Sequence, residues 1–153
     1  MGLCLTAAGP RVIEFNARFG DPEAQVLLPL LCTSPLELFH RAATGTLDGL
    51  GPLQWHERSA VTVVIASSGY PLSPSSGDLI VGADGPGYQH AGTRLDDDGR
   101  LMTAGGRAIC CTATGDTLEA ARSAAYELVD RVKIDGGVWR TDIGLPSPLT
   151  GQR

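Results

Sequence analysis

The 153-residue sequence lacks any long hydrophobic run, and no stretch reaches the roughly 18 apolar residues that a membrane-spanning helix needs. It also lacks an excess of basic residues, since 12 Lys and Arg stand against 17 Asp and Glu, for a net charge of -5. This balance argues against nucleic-acid or anionic-membrane partners. Its N-terminus has no basic residue before the apolar part, which is not typical of a signal peptide. We therefore expect a cytoplasmic protein that binds neither a membrane nor nucleic acid.

Cysteine-based metal motifs and the glycine-rich phosphate loop are also missing. No C-x-x-C pair occurs, no histidine sits at ligand spacing from a cysteine, and G-x-G-x-x-G is absent. The hydrophobic share of 42% and the charged share of 19% indicate a folded globular chain. We expect all four cysteines to be buried, reduced thiols: Cys4, Cys32, Cys110 and Cys111.

The first part, residues 1–48, has the pattern of a β-hairpin followed by two helices. Asp21 before Pro22 is typical of an N-cap and first helical residue, so the first helix is predicted to begin there and to break at Pro29. The second helix is predicted from the capping box that begins at Ser34, with its end at Gly45.

The second part, residues 55–145, has the pattern of a small domain of mainly antiparallel strands with one long helix. Residues 59–67 are predicted to form a central strand, and Asp98-Gly99 a hairpin turn. Asp116 is the predicted N-cap of the long helix, which we expect to end at Gly136-Gly137. The fold class is therefore predicted to be α+β, with residues 146–153 as a tail.

The stretch VIEFNARFGDPEAQ, residues 12–25, carries the chemistry of the first part. Alternate residues of a strand share a face, so Glu14, Asn16 and Arg18 would project together if the strand continues. Carboxylate and amide oxygens suit Mg²⁺, and the arginine could hold phosphoryl oxygens. The alternative is that Glu14 and Asn16 form the solvent face of an edge hairpin while Arg18 pairs with Asp21.

The string EFNARFGDPE, residues 14–23, is similar to the signature of the phosphoribosylamine–glycine ligase family, and E-x-N-x-R resembles the metal-binding strand of ATP-grasp enzymes. The resemblance continues downstream in the family's order, over these segments: VTVVIASSGYP (61–71), HAGT (90–93), the run 99–126 and RTDIG (140–144). It covers about residues 2–144. Residues 1–48 would then be the end of an ATP-grasp domain, and residues 55–145 the ligase's C-terminal domain.

The resemblance implies an enzyme of purine biosynthesis that joins 5-phosphoribosylamine to glycine, with ATP as co-substrate, through a glycyl phosphate. Glu14 and Asn16 match the pair that holds Mg²⁺ or Mn²⁺, and Arg18 matches the catalytic arginine at the acyl phosphate. Asp21 would bind a substrate amine, or would only cap its helix.

Loop residues of the second part could line the phosphoribosylamine side of the cleft: Gly69, Tyr70, Pro71, His90, Gly92, Thr93, Gly105, Gly106 and Arg107. The alternative is that the glycines only serve turns and that His90 is a surface residue. Trp55 and Trp139 are expected to pack in the core or between domains.

Proteins of this family carry a lid and nucleotide-binding residues that have no counterpart here. We therefore expect the 153 residues alone to be inactive, as a fragment of the ligase or one chain of a two-chain enzyme. A non-catalytic binding or assembly module is the alternative.

Overall fold

The computed structural model describes residues 2–145, so the predicted tail at 146–153 lies outside the described residues. The strands are β1 Gly2–Thr6, β2 Gly9–Glu14, β3 Ser59–Ala66, β4 Ile80–Val81, β5 Tyr88–His90, β6 Thr93–Leu95, β7 Leu101–Thr103, β8 Arg107–Gly115 and β9 Lys133–Ile134. The helices are α1 Glu23–Leu27, α2 Pro35–Thr44 and α3 Leu118–Arg131, with 3₁₀ turns at Leu28–Leu30 and Leu47–Gly49. Within residues 2–145, no helix has the length and hydrophobicity to cross a membrane.

The main sheet has three antiparallel strands in the order β3-β8-β5. Strand β8 is therefore central, and the prediction that residues 59–67 form the central strand is wrong. Both β3 and β8 are rich in apolar residues, so hydrophobicity alone does not distinguish them. Helix α3 covers one face of this sheet with Ala121, Ala125 and Val129, which are fully buried. Their spacing of four residues places them on one stripe of the helix, as the sequence pattern indicated.

The predicted hairpin turn at Asp98-Gly99 is confirmed, although its loop is longer than two residues. Leu95 of β6 pairs with Leu101 of β7, so five residues connect the strands. Asp96 closes the loop because its Oδ1 accepts hydrogen bonds from the backbone N–H groups of Asp98 and Arg100. Two backbone N–H groups at the tip of this hairpin are thereby given an acceptor.

Both predicted ends of α3 are wrong. Thr117, not Asp116, is its N-cap, and the Thr117 Oγ1 accepts a hydrogen bond from the Ala120 N–H at 3.1 Å. Asp116 instead pairs with Arg58, its Oδ1 lying 3.1 Å from the Arg58 Nε. The helix ends at Arg131 because the next residue, Val132, has extended backbone and leads into β9.

The predicted hairpin and helices of the first part are confirmed. Strands β1 and β2 pair with each other, and α1 gives way to a 3₁₀ turn that contains Pro29. Helix α2 begins after Ser34, whose Oγ accepts from the Glu37 N–H, and ends at Gly45 with a left-handed φ of 69°. Glu37 pairs with Arg41 at 2.9 Å in place of completing the capping box.

Burial is very uneven along the chain. No residue from 2 to 60 is buried, and the core begins at Val61. Large apolar side chains of the hairpin are open to solvent, with Ile13 70% and Phe15 79% exposed. Cys4 and Cys32 are exposed for the same reason, so the prediction that all four cysteines are buried is wrong for these two. The mixed helix and antiparallel-strand architecture is confirmed, whereas the division near residues 48–55 stays a prediction.

Candidate functional site

Glu14, Asn16 and Arg18 form a continuous chain of side-chain contacts. Glu14 is the last residue of β2, and the other two lie in the segment beyond it. The Asn16 Nδ2 donates to Glu14 Oε1 at 3.2 Å, and the Arg18 Nη1 donates to Asn16 Oδ1 at 3.0 Å. The same Nη1 also donates to the Phe19 carbonyl at 2.7 Å. The three side chains therefore lie together as predicted, and the alternative pairing of Arg18 with Asp21 is wrong.

This trio offers two hard oxygen donors, the Glu14 carboxylate and the Asn16 amide. Mg²⁺ in proteins is commonly held by one or two such groups, with phosphates and water completing the shell. The Asn16 amide now points its nitrogen at Glu14, and the two ends of an amide are assigned from such hydrogen bonds. With the amide turned over, both oxygens would face one cation, so the residues fit a divalent ion. No cluster of three or more His, Cys, Asp or Glu residues within 2–145 could hold a metal by itself.

Asp21 does not cap α1, so that prediction is wrong. The N-cap position is Pro22, and no side chain bonds to the helix N-terminus. The Asp21 side chain is instead shared between two partners. Its Oδ1 accepts from the Gln25 Nε2 at 2.8 Å, and its Oδ2 lies 3.2 Å from the Arg107 Nη2. The Arg107 Nη1 also donates to the Asp21 carbonyl at 2.6 Å.

The predicted loop residues Gly92, Gly105, Gly106 and Arg107 come together at the start of β8. The Gly92 N–H donates to the Arg107 carbonyl at 2.7 Å. A Cβ on Gly92 would lie 2.8 Å from that carbonyl oxygen and 2.9 Å from the Gly105 Cα, which is too close for any side chain. Close backbone approach thus gives Gly92 a structural reason to be glycine.

Tyr70 lies against the same cluster. A Cβ on Gly106 would sit 2.5 Å from the Tyr70 Cδ2, so the ring occupies the space that a side chain would fill. The Gly106 carbonyl accepts from the Ser67 N–H at 2.8 Å, which ties the end of β3 to this loop. Tyr70 therefore lies beside Gly106, while a substrate contact for Gly69, Tyr70 or Pro71 stays a prediction.

His90 and Thr93 are placed elsewhere. The His90 ring is exposed, and its Nδ1 lies 3.4 Å from the Thr93 Oγ1. His90 borders a cavity with Leu79 and Leu95, on a different part of the surface from Tyr70. The structure thus does not bring His90 into the Tyr70 cleft. It places His90 at the surface, as the alternative interpretation predicted, and a substrate contact for it stays a prediction.

A mainly apolar cavity of about 320 Å³ opens beside Tyr70 and Arg107. Its other lining residues are Pro22, Thr62, Val63, Val64, Ala66, Val138, Trp139, Arg140 and Ile143. Trp139 and Arg140 were not predicted to line a cavity. The signal for them is an aromatic residue directly before the arginine that begins the RTDIG motif. Trp55 and Trp139 are 47% and 42% exposed, so neither is in the core.

The adjacent thiols Cys110 and Cys111 point to opposite faces of β8, as predicted. Cys111 belongs to the core under α3, while the Cys110 Sγ lies 3.7 Å from the Gln25 Nε2. Burial, reinforced by the nearby Asp21 carboxylate, raises the pKa of Cys110 to about 11. Burial raises the pKa of Cys111 to about 12. Both thiols therefore stay protonated at neutral pH and are poor nucleophiles or metal ligands.

Comparisons with known proteins agree on one family. A family model described as phosphoribosylglycinamide synthetase, C domain, matches residues 60–146. The phosphoribosylamine–glycine ligases of Mycobacterium tuberculosis H37Rv and Streptomyces coelicolor are each 50% identical, over 95% and 93% of this chain. A crystal structure of the Thermotoga maritima phosphoribosylamine–glycine ligase superposes with a TM-score of 0.73 at 37% identity, over 92% of this chain. This chain spans 34%, 36% and 35% of those three proteins, about a third of their length. It therefore belongs to the phosphoribosylamine–glycine ligase family and contains that family's C domain.

Proposed function

We propose that this chain contributes the metal-binding strand and C domain to a phosphoribosylamine–glycine ligase. The reaction joins 5-phosphoribosylamine and glycine to give glycinamide ribonucleotide, while ATP is cleaved to ADP and phosphate. The observation that carries the proposal is the unbroken contact chain Glu14–Asn16–Arg18, which supplies donors for a cation and a guanidinium for an anion within one segment. Its position in a chain that contains the family's C domain supports the same reaction.

Glu14 and Asn16 are the residues that would hold Mg²⁺ or Mn²⁺. The ion would supply Lewis-acid stabilisation of charge on the nucleotide phosphates. Glu14 contributes the negative charge, and Asn16 contributes a neutral oxygen once its amide is turned over. Rotation of the Asn16 amide presents its nitrogen to Arg18. The guanidinium then loses its acceptor on Asn16 and is free to bind an anion.

Arg18 is then the group that would hold the acyl phosphate in place. A guanidinium donates two parallel hydrogen bonds to phosphoryl oxygens, which fixes the orientation of the phosphate as well as stabilising its charge. Its second contact, to the Phe19 carbonyl, keeps the side chain extended along the loop while the anion is absent.

The loops around Tyr70 would form the wall for phosphoribosylamine. The aromatic ring and the backbone of Gly105-Gly106 make a smooth surface beside a cavity that also contains Arg140. Polar groups at the rim of an apolar cavity are typical of small-molecule sites. Gly92 lies against Gly105 and Arg107 in the same cluster, whereas His90 borders a different cavity.

The nucleotide site needs more than this chain offers, so we expect the isolated chain to be inactive. ATP, glycine and phosphoribosylamine would be bound together with the remaining two thirds of a ligase. The exposed apolar residues of the hairpin favour this assembly, whether in one polypeptide or two, because such surface is normally covered. The four free cysteines fit the reducing environment of the cytoplasm.

A chimera tests the proposal. This chain replaces the matching segment of the Streptomyces coelicolor ligase, and glycinamide ribonucleotide formation is measured. We expect activity in the chimera and none from the 153 residues alone. Glu14→Gln and Asn16→Ala should each raise the Mn²⁺ half-saturation concentration by about 10–100-fold.

Glu37→Gln is the matched control, since Glu37 is an exposed carboxylate on α2 that pairs only with Arg41. It should leave the Mn²⁺ dependence unchanged. A folded but inactive chimera would contradict the proposed function, and so would turnover by the 153-residue chain without a partner.

A further inference from the structure

Only two residues connect the metal-binding segment to the β-sheet domain by hydrogen bonds. Across the described residues, every hydrogen bond between residues 2–30 and residues 59–145 is made by Asp21 or Gln25. Their partners are Arg107 and Cys110, both on the central strand β8. The hydrogen bonds between the two parts are therefore confined to one small area, beside the packing of α1 against β3 and β8.

Arg107 makes the strongest of these contacts, and its own backbone is held by a hydrogen bond. It makes two contacts with Asp21, one to the backbone carbonyl at 2.6 Å and one to the carboxylate at 3.2 Å. Its own carbonyl accepts from Gly92, which anchors the start of β8. A two-point contact from a planar guanidinium fixes orientation as well as distance.

Both oxygens of the Asp21 carboxylate have a partner within the protein. Gln25 donates to one carboxylate oxygen and Arg107 contacts the other. A substrate amine would have to share the carboxylate with these partners. The geometry thus favours a partner inside the fold over the substrate contact that the family resemblance implies.

The segment between Asp21 and the metal-binding pair is continuous and short. Arg18 bonds to the Phe19 carbonyl and to Asn16, which bonds to Glu14. The Gly20 carbonyl accepts from Ala24 at 3.0 Å, so the loop is also tied to α1. Only four residues separate Asn16 from Asp21, so a displacement of Asp21 would also move the Glu14–Asn16 pair.

We propose that Arg107 is a positioning residue, which holds Asp21 and thereby orients the Glu14–Arg18 segment towards the cleft formed by the C domain. In this role Arg107 acts through Asp21. This proposal rests on the proposed function for its meaning in the reaction, but the positioning itself is a property of this chain.

Residual dipolar couplings of the 153-residue chain test the positioning directly. In the unaltered chain, residues 2–20 and residues 59–145 should align as one body. Arg107→Gln and Asp21→Asn should each reduce the alignment of residues 2–20 while that of residues 59–145 is unchanged. Arg58→Gln, which breaks the exposed Arg58–Asp116 pair, is the matched control and should change neither. Separate alignment of the two parts in the unaltered chain, or no change in Arg107→Gln, would overturn the proposal.

The chimeric ligase gives the second readout. Arg107→Gln should raise the Mn²⁺ half-saturation concentration about tenfold, and the double variant with Asp21→Asn should be no worse than Arg107→Gln alone. Additive losses, with a raised KM for glycine only in Asp21→Asn, would assign Asp21 to the substrate and overturn the positioning role. If the unaltered chimera is inactive, the proposed function fails while the dipolar couplings still decide the positioning.

Discussion

At the scale of single residues, a contact could be predicted from the sequence when its two residues lie close together in the chain. The Glu14–Asn16–Arg18 contacts could be predicted because the three residues lie within five positions of one another, although β2 ends at Glu14 and the strand does not continue. The Asp21–Arg107 pair could not, since 86 residues separate its members and only the folded sheet brings them together. A local rule predicted Asp21 to be a helix cap, and a distant arginine took its side chain instead.

The cysteines show the same dependence on distant partners. All four sit in apolar surroundings in the sequence, which predicted burial. Cys110 and Cys111 are buried because α1 and α3 cover the two faces of β8, whereas Cys4 lies on a hairpin that nothing within residues 2–145 covers. Apolar patterning indicates that a face can be buried, but not that a partner is present.

Thiol labelling distinguishes these two classes of cysteine. At pH 8 in the native chain, we expect Cys4 and Cys32 to react rapidly with an aromatic disulfide reagent and Cys110 and Cys111 to stay unmodified. Burial excludes the reagent, and their raised pKa values, about 11 and about 12, keep the nucleophilic thiolate scarce until the pH is strongly alkaline. Unfolding in guanidinium chloride should raise the number of reactive thiols to four. Rapid reaction of a third thiol in the native chain would contradict the structure of β8.

At the scale of elements, the sequence predicted the presence of each helix correctly but not all of the helix ends. The capping residue of α2 was identified correctly because Pro35, which favours the first helical position, marks Ser34 and not the adjacent Thr33 as the cap. For α3, Asp116 and Thr117 are adjacent and both are good caps, so the sequence allowed two starts. The ion pair with Arg58 favours the second by holding Asp116 away from the helix.

Removing the α3 cap has a measurable cost. Thr117→Ala leaves the Ala120 N–H without its acceptor, and we expect the free energy of unfolding to fall by about 1 kcal/mol. Asp116→Ala is the matched control. It should cost less than about 0.5 kcal/mol, because its ion pair is exposed to solvent. Chemical denaturation of both variants gives the comparison, and a larger loss in Asp116→Ala would show that the helix starts one residue earlier.

Strand order was the other feature that the sequence left open. Strands β3 and β8 have similar length and hydrophobicity, and both were predicted to be buried. Which of them is central is decided by β5, a three-residue strand that pairs with β8 and has little pattern of its own. Pairings of short strands depend on the surrounding fold more than on their own residues.

At the scale of the whole molecule, the chain consists of a buried core that begins at Val61 and an open segment before it. A two-stranded hairpin is marginally stable unless other elements cover it. The hairpin β1–β2 pairs only with itself, and α1 is the helix of the first part that packs against β3 and β8. The segment with the metal-binding pair thus depends on its few contacts with the domain.

Hydrogen exchange measures this difference. Amides of β1 and β2 should exchange through local opening and much faster than the central amides of β3 and β8, which exchange only on global unfolding. In the active chimera, the hairpin amides should become protected because other strands cover them. Equal protection of residues 2–16 and residues 59–67 in the isolated chain would contradict this expectation.

The uneven burial has a thermodynamic consequence for any calorimetric study. Heat capacity rises on unfolding in proportion to the apolar surface that becomes exposed, at roughly 12–15 cal/mol/K per folded residue. Residues 2–58 already expose much of theirs, so most of the increment should come from residues 59–145, about 1.0–1.3 kcal/mol/K. A stability curve for this chain is therefore close to that of a domain of fewer than 90 residues, and its curvature reports little about the segment that would hold the metal.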